Sequence, residues 1–255
     1  MAFEKNGICP RCGRPLMAYV LPSGERISIN CACKHEEKRR EESAREAEGE
    51  EQEREDAVNR FLSMVGERYR NKTLANYVPD PKMRDVKHYS FIINMAKNFD
   101  EFLTTGQGGM IFGSYGCGKT HLEVALGVAL SKQGYAVKLF ETSSLYSRYM
   151  SAFSWKEKET PNGVIEDACN ADLIILDDVG VDTLSSDKSN FEKFIFSLVN
   201  YRYNQMKPIL LSTNLSPSEL KALVTLRVYD RLRSMAREIM NFCPSKRPAE
   251  QQGLL

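Results

Sequence analysis

The stretch Gly113-Ser114-Tyr115-Gly116-Cys117-Gly118-Lys119-Thr120 reads G-x-x-x-x-G-K-T. It follows a short apolar run, Gly109-Met110-Ile111-Phe112, and precedes Leu122, Ala125, Leu126, Ala129 and Leu130 at helical spacing. Strand, glycine loop and helix in that order are the context this motif needs. They point to an α/β fold. Gly113, Gly116 and Gly118 let the backbone reach positive φ and approach a ligand closely. Successive N–H groups at the positive end of a helix then cradle phosphate oxygens. Lys119 offers a charge to the β- and γ-phosphates of ATP, and Thr120 a hydroxyl to Mg²⁺. His121 completes the expected nucleotide-binding stretch.

A second signal is Leu173-Ile174-Ile175-Leu176-Asp177-Asp178. Four apolar residues in a row suit a strand buried on both faces. The acids at its carboxyl end suit a Mg²⁺ ligand, Asp177, and a group that orients or deprotonates the attacking water, Asp178. Pro208-Ile209-Leu210-Leu211-Ser212-Thr213-Asn214 reads as another strand with a polar end. If it lies beside the P-loop strand, Asn214 reaches the γ-phosphate, with Thr213 as the fallback. Phe191, Phe194, Ile195, Leu198 and Val199 follow the spacing of a core-facing helix. Ala136–Phe140 reads as a strand and Thr142-Ser143-Ser144 as the cap of the next helix. A helix is predicted over 82–103, and 155–163 reads as a polar loop holding Trp155, the single tryptophan. Arg227–Met235 reads as a basic helix with Val228, Leu232, Met235 and Ile239 on its buried stripe. Arg227 and Arg231 share another face. They are either solvated or able to reach a neighbouring subunit's nucleotide.

The amino-terminal segment carries different chemistry. Cys9-Pro10-Arg11-Cys12 and Cys31-Ala32-Cys33 form two close pairs, enough for one tetrahedral Zn²⁺. His35 is a spare ligand. So small a unit buries little apolar surface, and metal binding of roughly 10–16 kcal/mol closes that gap. Residues 34–60 are dense in charge, with Glu36/Arg40, Glu41/Arg45 and Glu50/Arg54 four apart, as in an exposed helix. The reading divides the chain into a four-cysteine zinc module (1–35), a charged helical linker (36–68) and an ATPase domain (69–255).

Composition sets the outer limits. The 255 residues are 42% hydrophobic and 27% charged, with a net charge of +1. No global field draws such a chain to nucleic acid or membrane. No apolar run is long enough for a transmembrane helix, and the first residues lack the apolar stretch of a signal peptide. A cytoplasmic location is expected, where clustered cysteines favour metal over disulfides.

With these residues in place, the chain resembles the DnaC/DnaI-type replicative helicase loaders, AAA+ proteins close to the IstB transposition helper ATPases. The resemblance covers about 70–245. It rests on Thr73-Leu-Ala-Asn-Tyr77, the P-loop, Leu176-Asp-Asp-Val-Gly-Val181, Ser189-Asn-Phe-Glu-Lys193, Ser212-Thr-Asn214 and Arg227-Val-Tyr-Asp-Arg-Leu-Arg233. It implies a three-layer core whose five parallel strands lie in the order 5-1-4-3-2. It also implies an ATPase that self-associates and is weak alone, with Arg231 acting in trans as an arginine finger and Arg227 as the fallback. Ser189 and Phe191 fall where related loaders touch single-stranded DNA, although periodicity puts Phe191 on the core face. A cysteine-rich first domain is similar to those that engage the helicase. Where the family often has an aromatic Ser-Tyr-Arg-like element, this chain has Cys243-Pro-Ser-Lys-Arg247, so Arg247 departs from the pattern. The leading expectation is an ATP-dependent loader of a ring-shaped helicase onto single-stranded DNA. Its rivals are an IstB-like ATPase serving a transposase, a zinc-dependent DNA adaptor with structural ATP, and a small-molecule kinase.

Overall fold

The computed structural model describes residues 2–29, 31, 33–82, 84–154, 158–180 and 188–246, the side chains of 2 and 34–38 excepted. Trp155, Val181 and Arg247 lie outside the described residues, as does the side chain of His35. The chain divides into two units, Met1–Glu53 and Arg54–Leu255.

In the first unit, β1 (Ala2–Ile8), β2 (Pro15–Val20) and β3 (Arg26–Ser28) form an antiparallel sheet in sequence order. The β2–β3 turn is closed by Leu21 N–H to Glu25 O and Gly24 N–H to Leu21 O, both 2.9 Å. β1 was not legible in the sequence. The long helix α1 (Cys33–Ser63) starts on the last cysteine and runs past the boundary between the units. Residues 39–56 are exposed all round, as expected of a helix with no apolar stripe.

The second unit is built on five parallel strands: β4 (Gly108–Gly113), β5 (Val137–Glu141), β6 (Leu173–Asp177), β7 (Ile209–Thr213) and β8 (Ala236–Asn241). Their spatial order is β5-β6-β7-β4-β8, with every neighbouring pair parallel. Counted within this unit, that is the 5-1-4-3-2 order. Side chains alternate across the strands into two cores. Ile111, Leu173, Ile175 and Leu210 point to the face covered by α2 (Val86–Lys97), α3 (Phe99–Thr105) and α4 (Lys119–Lys132). Met110, Phe112, Ile174, Leu176, Ile209 and Leu211 point to the opposite face. There they meet α5 (Thr142–Ser151), α6 (Pro161–Cys169), α7 (Lys188–Asn204), α8 (Pro217–Leu223) and α9 (Leu226–Met235).

Several boundaries differ from the sequence reading. The helix expected over 82–103 is two helices, α2 and α3, broken at Asn98, whose φ of −126° and ψ of 37° are not helical. Thr142 does not cap α5. It lies in the first turn, and its hydroxyl donates to Asp177 O at 2.9 Å. The segment expected as loop through 163 already holds the start of α6, with Thr160 as its cap and Pro161 in the first turn. Ile239 is not on the α9 stripe. The helix stops at Met235, and Ile239 reaches the core from β8.

The lower ends of β6 and β7 are held by one buried arginine. Arg202 is fully enclosed and donates to Cys169 O (3.0 Å), Ala171 O (2.7 Å), Asp172 O (2.7 Å) and Pro208 O (2.5 Å). Burial lowers its pKa to about 10. On the opposite face the ring of Phe61 is seated against α4 where Gly127 leaves room. A Cβ there would lie 1.9 Å from Cζ of Phe61. Gly127→Ala is therefore expected to lower stability by about 1–3 kcal/mol through overpacking, although alanine favours a helix over glycine by about 1 kcal/mol. Adding Phe61→Leu should return part of the loss. Chemical denaturation of the three proteins checks both outcomes.

Candidate functional site

The site forms at the carboxyl ends of β4, β6 and β7, the place where open α/β sheets bind ligands. The loop after β4 bends through Gly116 (φ 73°) and Gly118 (φ 96°). At Gly118 a side chain would both strain the backbone and meet the Tyr77 ring at 3.1 Å. Cys117 faces inward and is fully buried, so the loop offers its main chain there. Ser114 donates its hydroxyl to Cys243 O at 3.3 Å, and Tyr115 stands exposed on the rim.

Lys119 is nearly enclosed. Its ammonium donates to Gly113 O (2.8 Å), Ser114 O (3.2 Å) and Asn214 Oδ1 (2.6 Å). Asn214 in turn donates through Nδ2 to the Asp178 carboxylate. This row exists because β7 lies directly beside β4, with Phe112 opposite Thr213, so Asn214 leaves β7 beside the loop that carries Lys119. Thr213 is buried, and its hydroxyl donates to Val179 O inside the wall. Asn214 is thus the polar end that lines the cleft. Asp178 takes a left-handed conformation (φ 53°), which turns it out of the strand direction.

Asp177 faces the helix side. Thr120 donates to its Oδ2 at 2.9 Å and Ser212 to its Oδ1 at 2.7 Å, while Asp178 N–H donates to Ser212 Oγ at 3.2 Å. Thr120 and Asp177 are thus paired hard oxygen donors of the kind Mg²⁺ takes. Beneath them lies Glu123, fully buried, its carboxyl pushed well above the usual range by burial and by the Asp177 charge.

The outer wall comes from His121, expected at the nucleotide, and from Tyr77, Asp85 and Lys246, which carried no assigned role. His121 Nε2 faces Thr73 O (3.1 Å) and Asn76 Oδ1 (3.0 Å), and its ring meets Tyr77 edge-on. Burial lowers the His121 pKa. Tyr77 donates to Asp85 Oδ2 at 2.6 Å. The Lys246 ammonium sits 4.0 Å from the centre of the Tyr77 ring and donates to Tyr77 Oη (2.9 Å), Val78 O (2.6 Å) and Asp85 Oδ2 (2.8 Å). Lys246 N–H also donates to Gly116 O at 2.9 Å, so the chain after β8 is pinned to the loop as far as this residue. The cleft so enclosed has a volume of about 830 Å³. Its far side is lined by Glu141 and Ser144 and by Met64, Arg68, Tyr69 and Lys72. Ser212 and Glu123 could have been noticed in the sequence as polar residues inside otherwise apolar elements. Lys246 carried no such signal.

Two expected groups lie away from the cleft. Arg231 donates to Asn200 Oδ1 and lies 5.4 Å over the Phe196 ring and 5.3 Å over Tyr203. Arg227 lies 5.2 Å over the Phe196 ring as well. Phe191 has no exposed surface and packs among Tyr146 and Phe194, so it offers nothing to a nucleic acid. The expected DNA contact there is corrected in favour of core packing, and Ser189 remains exposed.

In the first unit, the Sγ atoms of Cys9, Cys12, Cys31 and Cys33 all lie within 4.8 Å of one another. Cys9 and Cys33 are 3.6 Å apart, Cys12 and Cys31 3.4 Å. Backbone N–H groups of Arg11 and Cys12 pull Cys9 down to about 6, whereas the Cys31 thiol and burial push Cys33 up to about 12. Four thiolates this close repel one another, and a divalent cation relieves that repulsion. The donor set and spacing fit Zn²⁺.

Comparison with known proteins agrees with this geometry. The sequence profile of the IstB-like ATP-binding proteins matches residues 82–231. The replicative helicase loader DnaC of Buchnera aphidicola subsp. Acyrthosiphon pisum is 28% identical over 144 residues, 56% of this chain and 57% of that protein. The match thus spans little more than half of that relative's length. The crystal structure of the DnaC helicase loader superposes with a TM-score of 0.59 at 24% identity, covering 70% of this chain and all of the other. The replication initiator DnaA bound to AMPPCP and single-stranded DNA superposes with a TM-score of 0.56 at 26% identity, over 69% of this chain and 50% of the other. With the matched profile spanning more than half its residues, this chain belongs to the IstB-like ATP-binding protein family.

Proposed function

We propose that this protein is an ATP-dependent loader of a DnaB-type replicative helicase onto single-stranded DNA, hydrolysing ATP where two copies meet. The observation that carries the reading is the row Lys119–Asn214–Asp178 beside Thr120–Asp177, in a chain similar to a protein named as a replicative helicase loader. Residues 113–121 would hold the nucleotide. Thr120 and Asp177 would hold Mg²⁺, which supplies charge neutralisation at the phosphates. Asp178 orients or deprotonates the attacking water, and Asn214 holds both Asp178 and Lys119 in register. Arg231 of a neighbouring copy, or Arg227 in its place, neutralises developing charge, so a lone subunit hydrolyses slowly. The working place of such a protein is the cytoplasm. Among the described residues no helix is long and apolar enough to cross a membrane.

The family description supports a second reading, an ATPase assisting a transposase. Capture from a lysate in ATP separates the two. A replicative helicase recovered with the full-length chain supports the first, and a transposase recovered without helicase promotes the second. In either case Asp178→Asn should reduce ATP turnover about 100-fold or more while nucleotide binding persists, since removal of a general base costs about 10²–10⁴. Lys119→Ala should abolish binding. Mixing Arg231→Ala with Asp178→Asn subunits should regain part of the turnover that each lacks alone. No regain, with Arg227→Ala complementing instead, transfers the finger to Arg227.

Zinc is tested separately. The purified chain should carry one zinc by elemental analysis, and Cys12→Ser should release it. Residues before the second unit should then become sensitive to limited proteolysis while ATP binding stays unchanged.

A further inference from the structure

We infer that Asn241 is a positioning residue for the glycine loop, holding the Cys117 carbonyl inward so that the next N–H is presented to a phosphate. The inference rests on the nucleotide reading above.

Asn241 is the last residue of β8 and lies opposite Gly113, where the loop leaves β4. The strands close tightly there, since a Cβ on Gly113 would lie 3.1 Å from that of Asn241. The side chain of Asn241 is buried, and its Oδ1 accepts from Cys243 N–H at 3.0 Å. That contact fixes the amide. Its Nδ2 then donates to His88 Nδ1 at 3.0 Å and to Cys117 O at 3.4 Å. Turned over, the amide would set oxygen against the Cys117 carbonyl and N–H against the Cys243 N–H. His88 has no exposed surface, and burial lowers its pKa to about 3, so its neutral ring accepts at Nδ1. Asn241 thus gives one N–H to α2 and the other to the loop.

Cys117 stands between Gly116 (φ 73°) and Gly118 (φ 96°), so its two peptides rotate freely unless tied from outside. A peptide unit is planar and trans, and its C=O and N–H point in opposite directions. With the Cys117 carbonyl drawn toward buried Asn241, the Gly118 N–H points away from the core, where Gly118 lines the cleft. The preceding peptide is tied by Lys246 N–H, which donates to Gly116 O at 2.9 Å. The stretch from Asn241 to Lys246 therefore supplies both ties. An apolar residue at the end of β8 would be buried as well and would need no partner. What the amide adds is its hold on Cys117 O.

The test compares wild type, Asn241→Leu and His88→Leu as full-length chains. Mant-ATP affinity is measured by fluorescence, and ATP turnover is followed against ATP concentration. Each protein is studied well below its own unfolding transition, recorded without nucleotide. Loop N–H groups of this kind cradle the α- and β-phosphates, which are bound alike before and during transfer of the γ-phosphoryl group. Asn241→Leu is therefore expected to weaken mant-ATP binding and raise KM about 10-fold, with kcat within about 2-fold of wild type. His88→Leu leaves the donation from Asn241 to the loop in place and is expected to hold affinity and KM within about 3-fold. That split is one a merely structural residue does not give. An Asn241→Leu protein with wild-type affinity overturns the inference, as does a His88→Leu protein equally impaired, or a loss confined to kcat. Should either leucine variant fail to fold, Asn241→Ser, too short to reach Cys117, or His88→Gln replaces it under the same criteria. A wild type that does not bind mant-ATP overturns the nucleotide reading itself.

Discussion

The insertion of β7 between β6 and β4 is the constraint on which the site depends. Parallel strands need long crossovers, so strands adjacent in sequence need not be adjacent in space. Here the P-loop strand pairs with β7 and β8, and the acidic strand β6 pairs with β5 and β7. β7 thus separates the lysine from the acids and supplies the groups that join them. Asn214 bridges Lys119 to Asp178, and Ser212 bridges Asp177 to the Asp178 backbone. Pairing β4 directly with β6 would remove both bridges.

Buried polar groups divide between two tasks. Arg202 donates through both terminal nitrogens to four carbonyls, leaving Nε unpartnered, and fixes the end of the sheet remote from the cleft. Its guanidinium fork suits that geometry, and lysine would not reach the same set. Glu123, at the cleft, lacks such partners. The contrast fits a fold whose closed end carries stability and whose open end carries chemistry.

The Tyr77–Asp85–Lys246 cluster ties two distant stretches of chain to the glycine loop. Although burial of Asp85 opposes ionisation, the Lys246 and Tyr77 donors hold its carboxyl below the usual range. The loop is therefore braced through Gly116 and Gly118 by segments that flank the sheet at both ends of the unit.

The sequence by itself determined the P-loop, the acidic strand end, the paired cysteines and the solvated helix, because each is a local pattern whose chemistry lies in residue type and spacing. It also placed Phe191 correctly by periodicity, against the role that resemblance implied. It left β1 unseen and ran α2 and α3 together, since a break at Asn98 depends on backbone angles set by packing. Only the tertiary structure decided that Asn214 and not Thr213 lines the cleft. It alone brought Lys246 to Tyr77 across 169 positions. These pairings are made by strand order and helix facing, properties of the whole chain that no short stretch of residues encodes.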